Sequence, residues 1–130
     1  MLRRVALATS GLLVLSGAVA AVVAGQAAPP TITITVGPRS VTVAGAENLP
    51  AGPTRVEIRT NARRAQIEGA LIALRPGRTA DDVRRALPSS QASPVPIKRL
   101  ATFEATGAPT RSRAYVTTIE LRAGVTYAAA

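Results

Sequence analysis

The sequence predicts an all-β protein, an antiparallel Greek-key β-sandwich with one short helix, preceded by an N-terminal apolar signal helix. Three observations predict it. Short runs alternate between β-branched and polar residues, led by TITITV at Thr31–Val36. Glycine and proline, ten of each, punctuate the chain between those runs. Only residues 79–87 switch to a helical period. Period two marks a strand with one buried face, and six or seven such runs separated by turns make a sandwich.

The N-terminus is read first. Arg3 and Arg4 form a positive start, residues 5–24 are uncharged and apolar, and Gly25-Gln26-Ala27 puts small residues at the −3 and −1 positions of a cleavage site before Ala28. That is the layout of a secretory signal peptide over 1–27, with cleavage between Ala27 and Ala28 and one domain over 28–130. The alternative is an uncleaved membrane anchor over residues 5–24, since about 20 apolar residues can span a bilayer. The Ala, Gly and Ser content of the run, with no basic stop-transfer cluster after it, favours cleavage. Leu15-Ser16-Gly17-Ala18 has the layout of a lipoprotein box with alanine at the lipid-bearing position, and the chain contains no cysteine to carry a lipid. The expected location is therefore secreted or cell-envelope associated.

The elements follow in order. TITITV (31–36) and SVTVA (40–44) are strands, broken by Gly37-Pro38. ENLPAGP (47–53) is a loop. TRVEIRT (54–60) puts Val56 and Ile58 on one face and Arg55, Glu57 and Arg59 on the other. NARR (61–64) is a turn. QIEGALIAL (66–74) is apolar on both faces after Glu68, as in a strand covered from both sides, and Gly69 within it marks a bulge or a close backbone approach. Thr79 caps a helix over 79–87, with Asp82 in the capping-box position, Asp81 and Asp82 near the positive dipole end, and Val83 and Leu87 sharing a face. Pro88 is expected to stop it. Residues 88–98 read as an exposed, extended Pro/Ser connection. RLATFEA (99–105) is a strand of poor alternation, RAYVTTIEL (113–121) a clearer one, and VTYAAA (125–130) begins another.

Leu49-Pro50-Ala51-Gly52, Asn61, Glu68, Leu74 with Pro76-Gly77, and Thr79 to Val83 together resemble the cupredoxin-like β-sandwich domains of exported bacterial proteins. Residues 119–127 (IELRAGVTY) are similar to a later L-x-P-G-x-Y strand of that family, with Ala123 in place of proline. The resemblance spans about residues 31–127 and implies a cupredoxin/Ig-like sandwich. It also implies a departure: copper-binding members carry histidine where this chain has Ile67, and a cysteine and second histidine in the last strands. This chain has no histidine or cysteine. A blue-copper site needs imidazole and thiolate donors, so no copper site and no cofactor are expected. Members of this family usually carry further strands after the tyrosine, so an open sheet edge or a shortened sequence is expected at Ala130.

Other chemistry is narrowed in the same way. Without histidine or cysteine, thiol chemistry and the usual proton carrier near neutral pH are absent. Asp81 and Asp82 are adjacent on a helix and do not converge, so capping explains them better than a metal. Glu68 with Glu104 or Glu120 would be a carboxylate pair only if the fold brought them together. Ser89 and Ser90 have no histidine to activate them, and Lys98 sits in no recognisable nucleophile motif. Arg55, Arg59, Arg63 and Arg64 are the candidate anion-binding patch, set against a solvated face partly neutralised by Glu57.

Removing Arg3 and Arg4 with the leader lowers 16 basic residues to 14 against 7 acidic, a formal charge of +7. A basic exported chain suits anionic envelope polymers or lipid headgroups. Nucleic acid is not expected, because the arginines are dispersed and Phe103, Tyr115 and Tyr127 are the only aromatics. The sequence reading is thus a non-enzymatic exported sandwich that binds at the cell envelope. Its alternative is an accessory domain that docks on a partner protein through an open sheet edge.

Overall fold

The computed structural model describes residues 13–15, 28–63, 67–90 and 95–130. It is mostly β, with two sheets and two short helices. The front sheet contains β2 (Thr31–Val36), β3 (Val41–Ala44), β4 (Gly52–Thr60) and β7 (Tyr115–Leu121), in the order β3-β2-β4-β7. The back sheet contains β5 (Gly69–Leu74), β6 (Ala101–Gly107) and β8 (Tyr127–Ala129), in the order β8-β5-β6, and β1 (Leu13–Leu15) extends it beside β8. Helices α1 (Ala80–Ser90) and α2 (Val95–Lys98) connect β5 to β6.

The alternating runs become strands with the faces the pattern predicts. Ile32, Ile34 and Val36 of β2 are buried between the sheets while Thr31, Thr33 and Thr35 face outward. On β4, Val56 and Ile58 join the same core. β5 is buried along its whole length because its two faces serve two cores. Leu71 and Ala73 meet the front sheet, whereas Ala70, Ile72 and Leu74 meet Val83, Leu87 and Ile97 of the helices. The architecture is therefore three layers, sheet on sheet with helices behind.

Four expectations change. Most neighbouring strands are antiparallel, but β2 and β4 run parallel, from Thr31↔Arg55 to Val36↔Thr60. The loop after β3 makes this possible by passing close to the start of β2 on its way to the other side of that strand. Gly45 takes φ 78°, and a Cβ there would lie 2.3 Å from the Thr31 carbonyl oxygen, so only glycine passes. The Arg55 amide then donates to the Pro30 carbonyl at 2.8 Å. Second, the connection read as extended contains α2, whose Ile97 is buried against the back sheet. Third, Pro88 does not end α1, which continues to Ser90. A proline removes one backbone donor, and the buried Val83 and Leu87 anchor the helix up to it. Fourth, of the expected N-terminal helix only residues 13–15 are described, and they are extended. The remainder of that segment, with Ala27, lies outside the described residues; Ala28 is exposed.

The poor alternation of β6 has a cause. Phe103 opposes Ile72 and Ala105 opposes Leu71, so Glu104 is an extra residue, a bulge. Ala101 consequently faces the helices and Ala105 the inter-sheet core.

The predicted capping box forms. The Asp82 amide donates to Thr79 Oγ1 at 3.2 Å, and the Thr79 amide donates to Asp82 Oδ2 at 2.9 Å. That backbone donor chiefly holds the Asp82 carboxyl below its ordinary 3.8 against the opposing effect of desolvation, with lesser help from the Thr79 side chain and then from Arg85 and Arg78. Because the folded value is depressed, the stabilisation is complete above the ordinary value and is lost as pH falls through the folded one. Acid titration of the melting temperature should show a decline below pH 3.8 that is shallower in Asp82→Asn.

Gly69 marks a close approach, as expected. A Cβ there would lie 2.6 Å from Ile58 Cγ2 and 2.7 Å from Val36 Cγ2, both on stiff β-branched side chains. Gly69→Ala should destabilise the protein by roughly 1–3 kcal/mol in denaturant unfolding, the usual effect of overpacking; an unchanged midpoint would refute the contact.

Candidate anion-binding surface

Strand direction decides which arginines share a surface. β2 and β4 both finish at one end, at Val36↔Thr60, and β3 and β7 begin there. In the back sheet β5 begins and β6 finishes at that same end, where Gly69 meets Ile58 and Val36, and Gly107 meets the ring of Tyr115. Three stretches of connection therefore lie at one end of the molecule: residues 37–40, residues 61–63 with 67–68, and residues 108–114.

Each connection carries arginine. Arg39 lies in the first, where the Gly37 amide donates to the Ser40 carbonyl at 2.8 Å. Arg63 lies in the second, which leaves β4 under fixed restraint. Thr60 Oγ1 donates to the Val36 carbonyl at 2.9 Å and accepts from the Ala62 amide at 3.1 Å. The third is a tight turn in which Thr110 and Arg113 exchange backbone bonds of 2.9 and 3.2 Å, with Arg111 and Ser112 at its tip. Arg39, Arg63, Arg111 and Arg113 are all exposed. Arg63, Arg111 and Arg113 make no ion pair with another described residue.

Of the four arginines singled out from sequence, Arg63 and Arg59 reach this end and Arg55 does not. Arg64 lies outside the described residues. Arg55, Glu57 and Arg59 share the outer face of β4, and Glu57 is buried between the two guanidinium groups, 3.6 Å from Arg55 Nη1 and hydrogen-bonded by Arg59. The expected partial neutralisation by Glu57 is thus visible. Sequence reading missed Arg39, Arg111 and Arg113, which lie on turns far apart in the chain and meet only through strand register.

The other candidates stay apart. Asp81 pairs with Arg84, and Asp82 with Arg85 at 3.2 Å, on the outer side of α1. Glu104 is bound by Arg122 at 2.5 Å, and Glu120 stands on the other sheet opposite Pro53. Glu68 precedes β5 at the arginine end. Ser89 and Ser90 close α1. The Lys98 carbonyl accepts from Arg75 Nη2 at 3.0 Å, a structural tie between loop and helix. Among the described residues no group of three His, Cys, Asp or Glu is placed to hold a metal. Ile67 is buried in the inter-sheet core.

Tyr127 was expected only as a strand aromatic, yet its buried hydroxyl accepts from the Arg122 amide at 2.9 Å and anchors the turn before β8. That hydroxyl, and secondarily the Glu104 charge, raise the Arg122 guanidinium above its ordinary value.

A scan against protein-family models, a search of curated proteins and a search of solved structures each find no match.

Glu57→Gln would release two guanidinium groups at once. It should strengthen retention of the protein on an anionic column at fixed salt while lowering its melting temperature; earlier elution than the parent would show that the pair does not restrain these arginines.

Proposed function

We propose that this chain is an exported, non-enzymatic Greek-key β-sandwich, cupredoxin-like in type but without a copper site, that binds anionic polymer or lipid headgroups at the cell envelope. The carrying observation is the convergence of Arg39, Arg59, Arg63, Arg111 and Arg113 at one end of the sandwich, against which stand Glu57 and Glu68. Guanidinium forks suit phosphate and carboxylate geometry, and turns present them without a groove. The leader-like start at residues 1–27 supports export, and the burial of Ile67 supports a sandwich whose metal corner is filled by hydrocarbon.

A second reading has its own support. Among the described residues, the outer edge of β8 is paired by the three residues of β1 alone. An accessory domain could dock on a partner by adding a strand there.

Vesicles containing anionic lipid, against neutral ones, test the first reading. Binding should fall with salt and should drop roughly tenfold or more in the double variant Arg111→Gln/Arg113→Gln, since a basic residue near such a surface contributes about 1 kcal/mol. The control Arg78→Gln/Arg99→Gln removes the same charge from the opposite end. Equal losses in both variants would sink the assignment to this end. The mass of the protein from its own cells separately reads export: residues 28–130 for cleavage, the full chain for an anchor.

A further inference from the structure

The edge of β8 carries more than its length suggests. Ala70 and Ala130 exchange backbone hydrogen bonds of 2.8 and 2.9 Å, and the Leu74 amide donates to the Thr126 carbonyl at 2.9 Å. Antiparallel ladders alternate, so the polar groups of Ala128 and Ala130 point to β5, and those of Tyr127 and Ala129 point the other way. There they meet β1, with Leu13↔Ala129 and Leu15↔Tyr127 in register. The side chains of β8 are already committed. Tyr127 and Ala129 belong to the inter-sheet core, Ala128 to the helix side, and all three are buried. An edge whose side chains are covered on both faces, with its backbone donors turned outward, accepts only an extended strand. An apolar one matches the cores above and below.

We propose that the β8 edge is a strand-acceptor site whose occupant is this chain's own N-terminal segment. Residues 13–15 close it in cis, and their withdrawal opens it. The same residues lie in the middle of the apolar run 5–24. They cannot pair as an extended strand and also serve as a helical leader or span, because one backbone takes one conformation at a time. Export through that run, by cleavage or by insertion, therefore unmasks Tyr127 and Ala129. The site is closed before export and open after it, a coupling that rests on the export reading, whereas the cis pairing does not.

Amide exchange on the full-length chain tests the pairing without requiring export. In the unmodified chain Tyr127 and Ala129 should be protected along with Ala128 and Ala130. Leu15→Pro deletes a ladder donor, and should speed exchange at Tyr127 and Ala129 about tenfold or more while Ala128 and Ala130, bonded to β5, stay protected. A synthetic peptide of residues 11–17 added to that variant should restore protection at the two edge amides. Fast exchange at Tyr127 and Ala129 in the unmodified chain overturns the proposal without recourse to any variant. So does slow exchange that Leu15→Pro leaves unchanged. Protection that weakens on dilution would assign the strand to a second copy and overturn closure in cis. Failure of export would show as a full-length mass in the soluble cytosolic fraction, not in the membrane fraction, and would leave these amide results standing.

Discussion

Burial of β5 on both faces is the constraint from which the rest of this structure follows. Six consecutive residues, Gly69–Leu74, are buried, and they divide between two cores by simple alternation. One sheet cannot cover both faces of a strand. The front sheet takes Leu71 and Ala73, so another layer must take Ile72 and Leu74, and α1 and α2 supply it. Each fully buried aliphatic side chain stabilises by about 1.5–3 kcal/mol, so leaving either face wet would be severe for a domain this small. The chain has few aromatics, and its core consists largely of Ile, Val, Leu and Ala. Such a core gains stability through close fit, not large rings. Gly69 shows how close, since the methyls of Ile58 and Val36 occupy the space its side chain would need.

The surface obeys a different logic. Much of its acid is spoken for by nearby arginine: Glu57 by Arg55 and Arg59, Asp81 by Arg84, Asp82 by Arg85, Glu104 by Arg122. What remains is an excess of cation, and strand direction gathers part of it at one end. Exposed pairs contribute little to stability. Their effect here is to set where positive charge is left over. A turn tip carrying unpaired guanidinium groups keeps them hydrated until an anion replaces the water, which suits reversible adsorption to a charged polymer.

The back sheet links the fold to the N-terminal segment. β8 completes both cores with small residues and a single tyrosine, whose hydroxyl is tied to the Arg122 amide. It is thus firmly placed, yet among the described residues its outward backbone groups are met by residues 13–15 alone. The same apolar residues suit an export leader and a sheet edge because both environments favour hydrocarbon and demand satisfied backbone groups.

Sequence alone determined the local elements: TITITV, TRVEIRT and the two-faced run ending at Leu74 are strands, Thr79 with Asp82 caps a helix, and Gly69 lies where two elements touch. Those features follow from period, turn chemistry and capping, which act over a few residues. Four features were not legible locally. The parallel pairing of β2 with β4 depends on Gly45 passing close to the Thr31 carbonyl. Helix α2 depends on a sheet face that Ile97 covers, although its prolines argue for an extended chain. The bulge at Glu104 depends on the register between β5 and β6. The arginine end depends on three distant turns, so Arg39, Arg111 and Arg113 escaped a reading that found Arg55, Arg59 and Arg63 because they are close in sequence. Composition by itself excluded imidazole and thiolate chemistry, since a missing side chain cannot be restored by folding. Tertiary structure decided which charges meet, because strand direction and register are properties of pairs of segments and belong to neither segment alone.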